Sequence, residues 1–486
     1  MNYRAVIGLE IHVELKTETK MFCGCSAAFG EEPNSRCCPV CLGLPGSLPV
    51  LNRKALELGV KAARALNCTV EANSRFDRKN YFYPDLPKAY QISQYDVPLG
   101  HSGYLEVEPL AGKQIGIQRC HLEEEAGKLL HQGGSLMEAE YSLVDYNRAG
   151  IPLLEIVTAP ELASGEEAYH FLNELWLLLL YNGISDCRME EGSLRCDANI
   201  SLSPFNSDTW GNKVEVKNLN SFKAVKAALE FEAARQEEVL SRRGEVVQET
   251  RHWDEDQRKT SSLRGKEEVA NYRYFPEPDL PPLQLDGIWI QKVEDSLAET
   301  PAERRRRYRE QYSLKEREAE LLVAHPPLAD FFDRAAVKYN GYRELFNWIS
   351  GEIARIARQK NISPEVIDPG VLVETLLLMD EGSINRVTAK VVLEEALMGG
   401  IKPAELAKEK EAEQITDTVA LGEMVEEVLR DNPRAMRDYL EGKGKAGNFL
   451  LGQVMGRTGG KADPSVVKEI LEEQVYRRRG ERDERD

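Results

Sequence analysis

The segment Gly8-Leu-Glu-Ile-His-Val-Glu-Leu15 alternates apolar and ionisable residues. In a β-strand successive side chains point to opposite faces, so Leu9, Ile11, Val13 and Leu15 share one face and Glu10, His12 and Glu14 the other. Hard divalent cations take carboxylate oxygens, so the polar face reads as half of a cation site. The alternative is an amphipathic strand with a solvated polar side. A second acidic run, His121-Leu-Glu-Glu-Glu-Ala-Gly-Lys128, places three like charges in a row, which repel unless water or a cation neutralises them. A third lies in Arg188-Met-Glu-Glu-Gly-Ser-Leu-Arg-Cys-Asp-Ala-Asn199, where Gly192 and Ser193 suit a turn. Three carboxylate clusters in one turn-rich half of the chain point to a metal–phosphate site, because cations bridge phosphate oxygens and neutralise developing charge.

The nine cysteines fall at 23, 25, 37, 38, 41, 68, 120, 187 and 196. An odd, clustered set suggests a metal site rather than a disulfide framework. Cys23-Gly-Cys25 is followed after twelve residues by Cys38-Pro-Val-Cys41, and two thiolate pairs on turns can close a tetrahedral zinc site of structural type. Cys37 competes with Cys38 as third ligand, and four reduced, buried cysteines are the alternative. Cys68, Cys120, Cys187 and Cys196 read as ordinary small apolar residues.

Nucleotide-binding signals are diffuse. Gly265-Lys266 and Gly460-Lys461 lack both the upstream glycine and the following Ser or Thr of a phosphate-binding loop. The basic residues of Arg258–Lys266 and the helix opening after Val216-Lys-Asn-Leu-Asn-Ser221 could meet an anion. From Phe76 to Tyr95, four tyrosines interleave with Arg78, Lys79 and Lys88, a pattern suited to stacking on a nucleotide or to a packed loop. Gly442–Lys461 carries Lys443, Lys445, Arg457 and Lys461 and no acid, a local reversal that suits a phosphate backbone or a solvated helix.

The elements that must position these groups divide by texture. Residues 1 to about 290 alternate as strands do in Val6–Leu15, Ile115–Gln118 and Val214–Lys217, with helices at Glu166–Leu180 and from Phe222 to Leu240, the latter capped by Ser221. From about Thr300, helical periodicity dominates, and the charged segment Ala407–Glu413 reads as a link between helical units. The 486 residues allow two to four domains. With 63 basic against 81 acidic residues the net charge is −18, so any polyanion must bind through local basic patches. The longest aliphatic run, Leu177–Leu180, is far too short for a bilayer span, and the N-terminus has no signal-peptide pattern, so a cytoplasmic protein is expected.

Several strings together resemble one family. Gly8–Leu15, Cys38-Pro-Val-Cys-Leu-Gly-Leu-Pro-Gly46, Lys79-Asn-Tyr-Phe-Tyr-Pro-Asp-Leu-Pro-Lys88, Asp145-Tyr-Asn-Arg-Ala-Gly-Ile-Pro-Leu-Leu-Glu155, Glu215–Ser221 and Tyr272-Arg-Tyr-Phe-Pro-Glu-Pro-Asp-Leu280 are similar to the B subunits of aspartyl/glutamyl-tRNA amidotransferases (GatB). Asn448–Met455 resembles their YqeY-like end. The resemblance implies an α+β chain: a β-rich, cradle-like catalytic domain over 1–292, a helical domain over 293–408, and a helical YqeY-like tail over 409–486 that holds tRNA. It implies ATP-dependent amidation of Glu on tRNA(Gln), Asp on tRNA(Asn), or both, with phosphorylation of the side-chain carboxylate and displacement of phosphate by ammonia. The ammonia would come from the amidase (A) partner of such complexes, with the small (C) partner completing the assembly; this chain has no Gly-Gly-Ser-Ser amidase signature. Expected cofactors are ATP, Mg2+ and structural Zn2+.

On that footing Glu10, His12 and Glu125 are the expected magnesium site, with His12 alternatively orienting a water or phosphate. Lys79 and Lys88 are expected to line the ammonia route or contact phosphates. Glu124 and Glu190 are weaker candidates for the cation and, with Ser193, Asn218, Asn220 and Ser221, candidate cofactor contacts; Cys23, Cys25, Cys38 and Cys41 are the zinc ligands. The rival readings are a non-catalytic tRNA-binding adaptor and a zinc-ribbon nucleic-acid module fused to helices. The archaeal relative GatE normally carries an inserted domain for which this length leaves no room.

Overall fold

The computed structural model describes residues 3–131, 141–205, 209–265, 272–412, 418–458 and 462–483. The chain is α+β and divides into two compact units, Met1–Arg304 and Arg305–Asp486.

The first unit is built on a nine-stranded sheet. From edge to edge its strands are Lys259–Gly265, Glu249–Asp254, Val214–Leu219, Leu194–Pro204, Tyr3–Glu14, Pro152–Thr158, Lys113–Glu124, Gly100–Val107 and Thr69–Val70. All neighbours run antiparallel except Val214–Leu219 with Glu249–Asp254. The central strand Tyr3–Glu14 shows why the sheet has two unlike faces. Ile7, Leu9, Ile11 and Val13 are buried with Leu122, Leu154 and Ile156 in one core, while the intervening residues point to the other side.

Three long helices pack on that core. Arg53–Ala65 is capped by Asn52, whose side chain accepts from the amides of Lys54 and Ala55. Gly165–Tyr181 is capped by Ser164, and Phe222–Ser241 by Ser221, each hydroxyl accepting an amide three residues on. Such caps satisfy donors that have no partner within the helix. A smaller sheet of Asp77–Asn80, Tyr90–Ser93 and Phe275–Pro276 brings the tyrosine-rich segments 76–95 and 272–276 together.

The second unit is helical among its described residues. Phe331, Phe332, Trp348, Leu372, Leu376 and Leu393 are buried there. A π-helical turn, Ile349–Ile353, joins Tyr342–Trp348 to Ala354–Lys360. The charged segment from Ala407 is not a linker as far as it is described: it continues the helix Pro403–Ala412, and Glu413 lies outside the described residues. Further on, Thr418–Asp431, Gly444–Arg457 and Pro464–Asp483 share a core of Leu421, Val425, Leu450, Val454 and Leu471. The basic stretch there is paired with acids from neighbouring sequence: Lys443 with Asp438 at 2.8 Å and Glu441 at 2.9 Å, Arg457 with Glu427 at 3.1 Å and also with Asp431. Lys266 and Lys461 lie outside the described residues.

Candidate functional site

Three adjacent strands carry an acidic cluster on the face turned away from the helices. His12 of Tyr3–Glu14 lies opposite Glu155 of Pro152–Thr158, which in turn lies opposite His121 of Lys113–Glu124. Glu123 follows His121 by two residues and so shares its face. His12 Nε2 is 3.5 Å from a Glu123 oxygen and 3.4 Å from a Glu155 oxygen; His121 Nε2 is 3.7 Å and 3.6 Å from the same two carboxylates. Both carboxylates are buried, at 2% and 7% exposure.

Burial by itself would lower the pKa of His12, but the Glu155 hydrogen bond and the Glu123 and Glu155 charges outweigh it and raise it. Burial would likewise raise Glu123 and Glu155; the imidazoles outweigh it and hold both below the usual carboxylate range. The only guanidinium that pairs with the cluster among the described residues is Arg119, 3.4 Å from Glu155, and its buried Nε meets no partner. His121 Nδ1 is also buried without a partner. His12, Glu123 and Glu155, whose donor atoms lie within 4.8 Å of one another, thus form a mixed oxygen–nitrogen set that a divalent cation fits, with His121 beside them.

His121, Glu123 and Glu155 of the cluster line a pocket of about 610 Å³. One wall is aromatic. Tyr95 stacks on Tyr274 with centroids 4.1 Å apart, and Tyr272 meets Tyr274 and Tyr81 edge-on. Lys79 lies 5.1 Å from the Tyr272 centroid and 5.7 Å from that of Tyr81, and among the described residues no carboxylate pairs with it. Glu10 lines the same pocket and accepts from Asn199 Nδ2 at 2.9 Å.

The other expected site residues lie elsewhere. Glu125 is held by Arg195 and by Arg148, the latter at 3.4 Å, rather than by His12. Glu124 points through the sheet to the opposite side, pairs with Lys88 and accepts the Ile92 amide at 2.9 Å. Glu190 is exposed. Ser193 Oγ closes its turn by accepting the Arg188 amide at 2.6 Å. Asn218, at φ 67°, donates to the Trp253 carbonyl at 3.0 Å. Asn220 is exposed, and Ser221 is spent on its helix cap.

His121, Glu123 and Glu155 are the members of this cluster that sequence reasoning did not single out. The signal was present: His121-x-Glu123 repeats the two-residue spacing of Glu10-x-His12, and Glu155 is the lone acid inside the apolar run Ile151–Val157.

A second centre stands beside the sheet. The sulfurs of Cys23, Cys25, Cys38 and Cys41 all lie within 4.8 Å of one another, and Cys37 is outside the group. The Cys38 amide donates to Cys41 Sγ at 3.1 Å. The Cys23 hydrogen bond pulls the Cys41 thiol well down, and burial pushes Cys25 up. Four converging thiols, one of them held toward the thiolate form, match the donor set of a closed structural zinc site.

Known proteins agree with this architecture. The family model described as the GatB/GatE catalytic domain matches residues 5–291, and one described as the GatB domain matches 330–475. A protein of Carboxydothermus hydrogenoformans, named as the B subunit of an aspartyl/glutamyl-tRNA(Asn/Gln) amidotransferase, is 51% identical over 476 residues, 97% of this chain and 99% of its own. Proteins of the same description from Caldanaerobacter subterraneus and Moorella thermoacetica are each 50% identical over 98% of this chain and the whole of their own. Among the described residues no helix is long and apolar enough to cross a membrane. With the catalytic model covering all nine strands of the sheet but for the first two residues of Tyr3–Glu14, and relatives half identical from end to end, the chain belongs to the GatB/GatE family.

Proposed function

We propose that this chain is the amidating component of a tRNA-dependent amidotransferase. It converts Glu on tRNA(Gln), Asp on tRNA(Asn), or both, to the amide in an ATP-dependent reaction. A carboxylate is a poor acyl donor because oxide would have to leave. In the proposed first step a carboxylate oxygen of the aminoacyl group forms a bond to the γ-phosphorus, and the bond from that phosphorus to ADP breaks. In the second, ammonia attacks the acyl carbon, phosphate leaves with the carbonyl–oxygen bond pair, and the nitrogen loses a proton.

The observation that carries this reading is the convergent set of His12, Glu123 and Glu155, with His121 beside it, next to a pocket of about 610 Å³ lined by His121, Glu123, Glu155 and Lys79, the last of which pairs with no carboxylate among the described residues. Substrate carboxylate and triphosphate repel each other, and the pocket supplies what opposes that. A divalent cation bound by these side chains, Mg2+ in the simplest case, would neutralise phosphate charge. Glu123 and Glu155 are its proposed carboxylate ligands; His12 and His121 complete the set or orient water and phosphate. Lys79, held between Tyr81 and Tyr272, donates to phosphate oxygens. Glu10, two residues before His12 on the same strand, lines the pocket. Arg119 holds Glu155 in place.

The ammonia comes from the amidase (A) partner, and the small (C) partner completes the complex. Zinc on Cys23, Cys25, Cys38 and Cys41 is structural. In this assignment residues 1–292 are the catalytic cradle, 293–408 the helical domain, and 409–486 the tail that contacts tRNA, all working in the cytoplasm. The test is ADP formation that depends on misacylated tRNA in the assembled complex. Glu123→Gln and Glu155→Gln should each slow it roughly a hundredfold; unchanged ADP formation would reduce the chain to a tRNA-binding adaptor.

A further inference from the structure

We infer that Lys20 balances the charge of the four-cysteine centre and pins it to the 145–151 turn, a positioning residue that ties metal occupancy to Arg148 and Glu125. The inference rests on the reading of Cys23, Cys25, Cys38 and Cys41 as a metal centre.

Lys20 is completely buried. An ammonium group in that position is costly unless it is both hydrogen-bonded and electrically compensated. Its Nζ donates to the Arg36 carbonyl at 2.8 Å and the Tyr146 carbonyl at 3.3 Å, and lies 3.7 Å from Cys41 Sγ. Among the described residues no carboxylate pairs with it. Two carbonyls satisfy donors but supply no counter-charge. Four thiolates around a divalent ion leave the centre doubly negative, and the ammonium meets that charge at its most buried sulfur.

The same lysine bridges two chain segments that are stitched together along their length. On one side is the cysteine loop 31–41, on the other the turn 144–151. Asn34 donates its amide to Asp145 at 3.0 Å and its side chain to the Val144 carbonyl at 2.9 Å. The Arg36 amide donates to Asn147 at 2.8 Å, and Asn147 Nδ2 to the Glu32 carbonyl at 2.7 Å. Gly150, at φ +90°, accepts from the Met21 amide at 2.7 Å and donates to the Glu125 carbonyl at 2.9 Å. A Cβ at Gly150 would already touch Cys41 and the Lys20 chain at 3.5 Å, which shows how closely the turn is drawn onto the centre. From this turn Arg148 reaches Glu14 at 2.8 Å and Glu125 at 3.4 Å. The route from the cysteines to the acidic face therefore runs through Lys20, Tyr146 and Arg148.

The experiment uses the full chain, with zinc alone as the probe. Lys20→Gln keeps donors for the two carbonyls without charge; Lys20→Met keeps only the bulk. Zinc affinity by chelator competition should fall about 10–100-fold in both, the usual size of an effect one shell out from a metal. In a Cys25→His background the centre carries one negative charge fewer, and the loss caused by Lys20→Gln should shrink; a packing role would give the same loss in both. In the wild-type chain, removing zinc should speed hydrogen exchange at the amides of Met21, Gly150 and Ile151, a measurement that stands even if a variant fails to fold. Wild-type zinc affinity in both Lys20 variants, an equal loss in the two backgrounds, or exchange indifferent to zinc would each overturn the inference. A wild-type chain that binds no zinc would instead remove the metal reading on which it rests.

Discussion

The sharpest test separates Glu123 and Glu155 from Glu125. Glutamine at 123 or 155 keeps the shape of the side chain and removes one charge from a point 3.4–3.7 Å from two imidazole nitrogens. At an effective dielectric constant of about 20, a unit charge pair at ~3.5 Å is worth about 5 kcal/mol. The amide dipole recovers part of that, leaving about 3 kcal/mol, or roughly a hundredfold in rate. Glu125→Gln acts elsewhere. Its carboxylate is shared between Arg148 and Arg195, so the substitution should cost about 1–3 kcal/mol of stability, the penalty for loosening buried charged hydrogen bonds. The assay is tRNA-dependent ADP release by the assembled complex across a titration of divalent cation. Glu123→Gln and Glu155→Gln should demand more cation and turn over slowly even when saturated. If both kept wild-type rates and cation dependence while Glu125→Gln lost them, the assignment of the cation to the two-histidine cluster would be refuted.

Cys38→Ser should abolish equimolar zinc binding, whereas Cys37→Ser should retain it, because the Cys37 sulfur stays outside the convergent group; metal analysis of the purified variants decides. Ser221→Ala should cost about 1 kcal/mol in urea unfolding by stripping a helix cap, while leaving the KM for ATP unchanged. A raised KM there would restore Ser221 as a nucleotide contact. Deleting residues 417–486 should weaken tRNA binding and spare glutaminase activity of the complex; equal tRNA affinity would reject the tail's role.

The fold was readable where one periodicity dominates. Strand Tyr3–Glu14 and helix Phe222–Ser241 announce themselves, one by alternation and the other by the Ser221 cap. The charged segment after Ala407 misled because a solvated helix and a linker share a composition, and only the preceding turn of Pro403–Ala412 tells them apart. The site was harder to read for a different reason. Which residue faces which pocket depends on strand register, and register is a tertiary property. The sequence shows that His12 has a polar face; it does not show that the strand beside it supplies Glu155 and the next one His121. Nor does it reveal that Lys88, near Lys79 in sequence, points away from the pocket that Lys79 lines.

The run Glu123-Glu124-Glu125 shows what register decides. Three adjacent carboxylates need either water or positive charge, and all three are largely buried, so positive charge must carry most of the compensation. The strand's alternation sends Glu123 and Glu124 to opposite sides, and the chain's exit from the strand carries Glu125 away from both. Each then finds its own compensation: Glu123 the two imidazoles, Glu124 the Lys88 ammonium, Glu125 two guanidiniums. Of the three, only Glu123 lacks a permanent cation, since imidazoles are charged only when protonated. Its neighbour Glu155 shares the two imidazoles but has in addition the Arg119 guanidinium at 3.4 Å. In the proposed assignment that inequality among neighbours, rather than the acidity of the run, is why an added divalent ion would gain most beside Glu123.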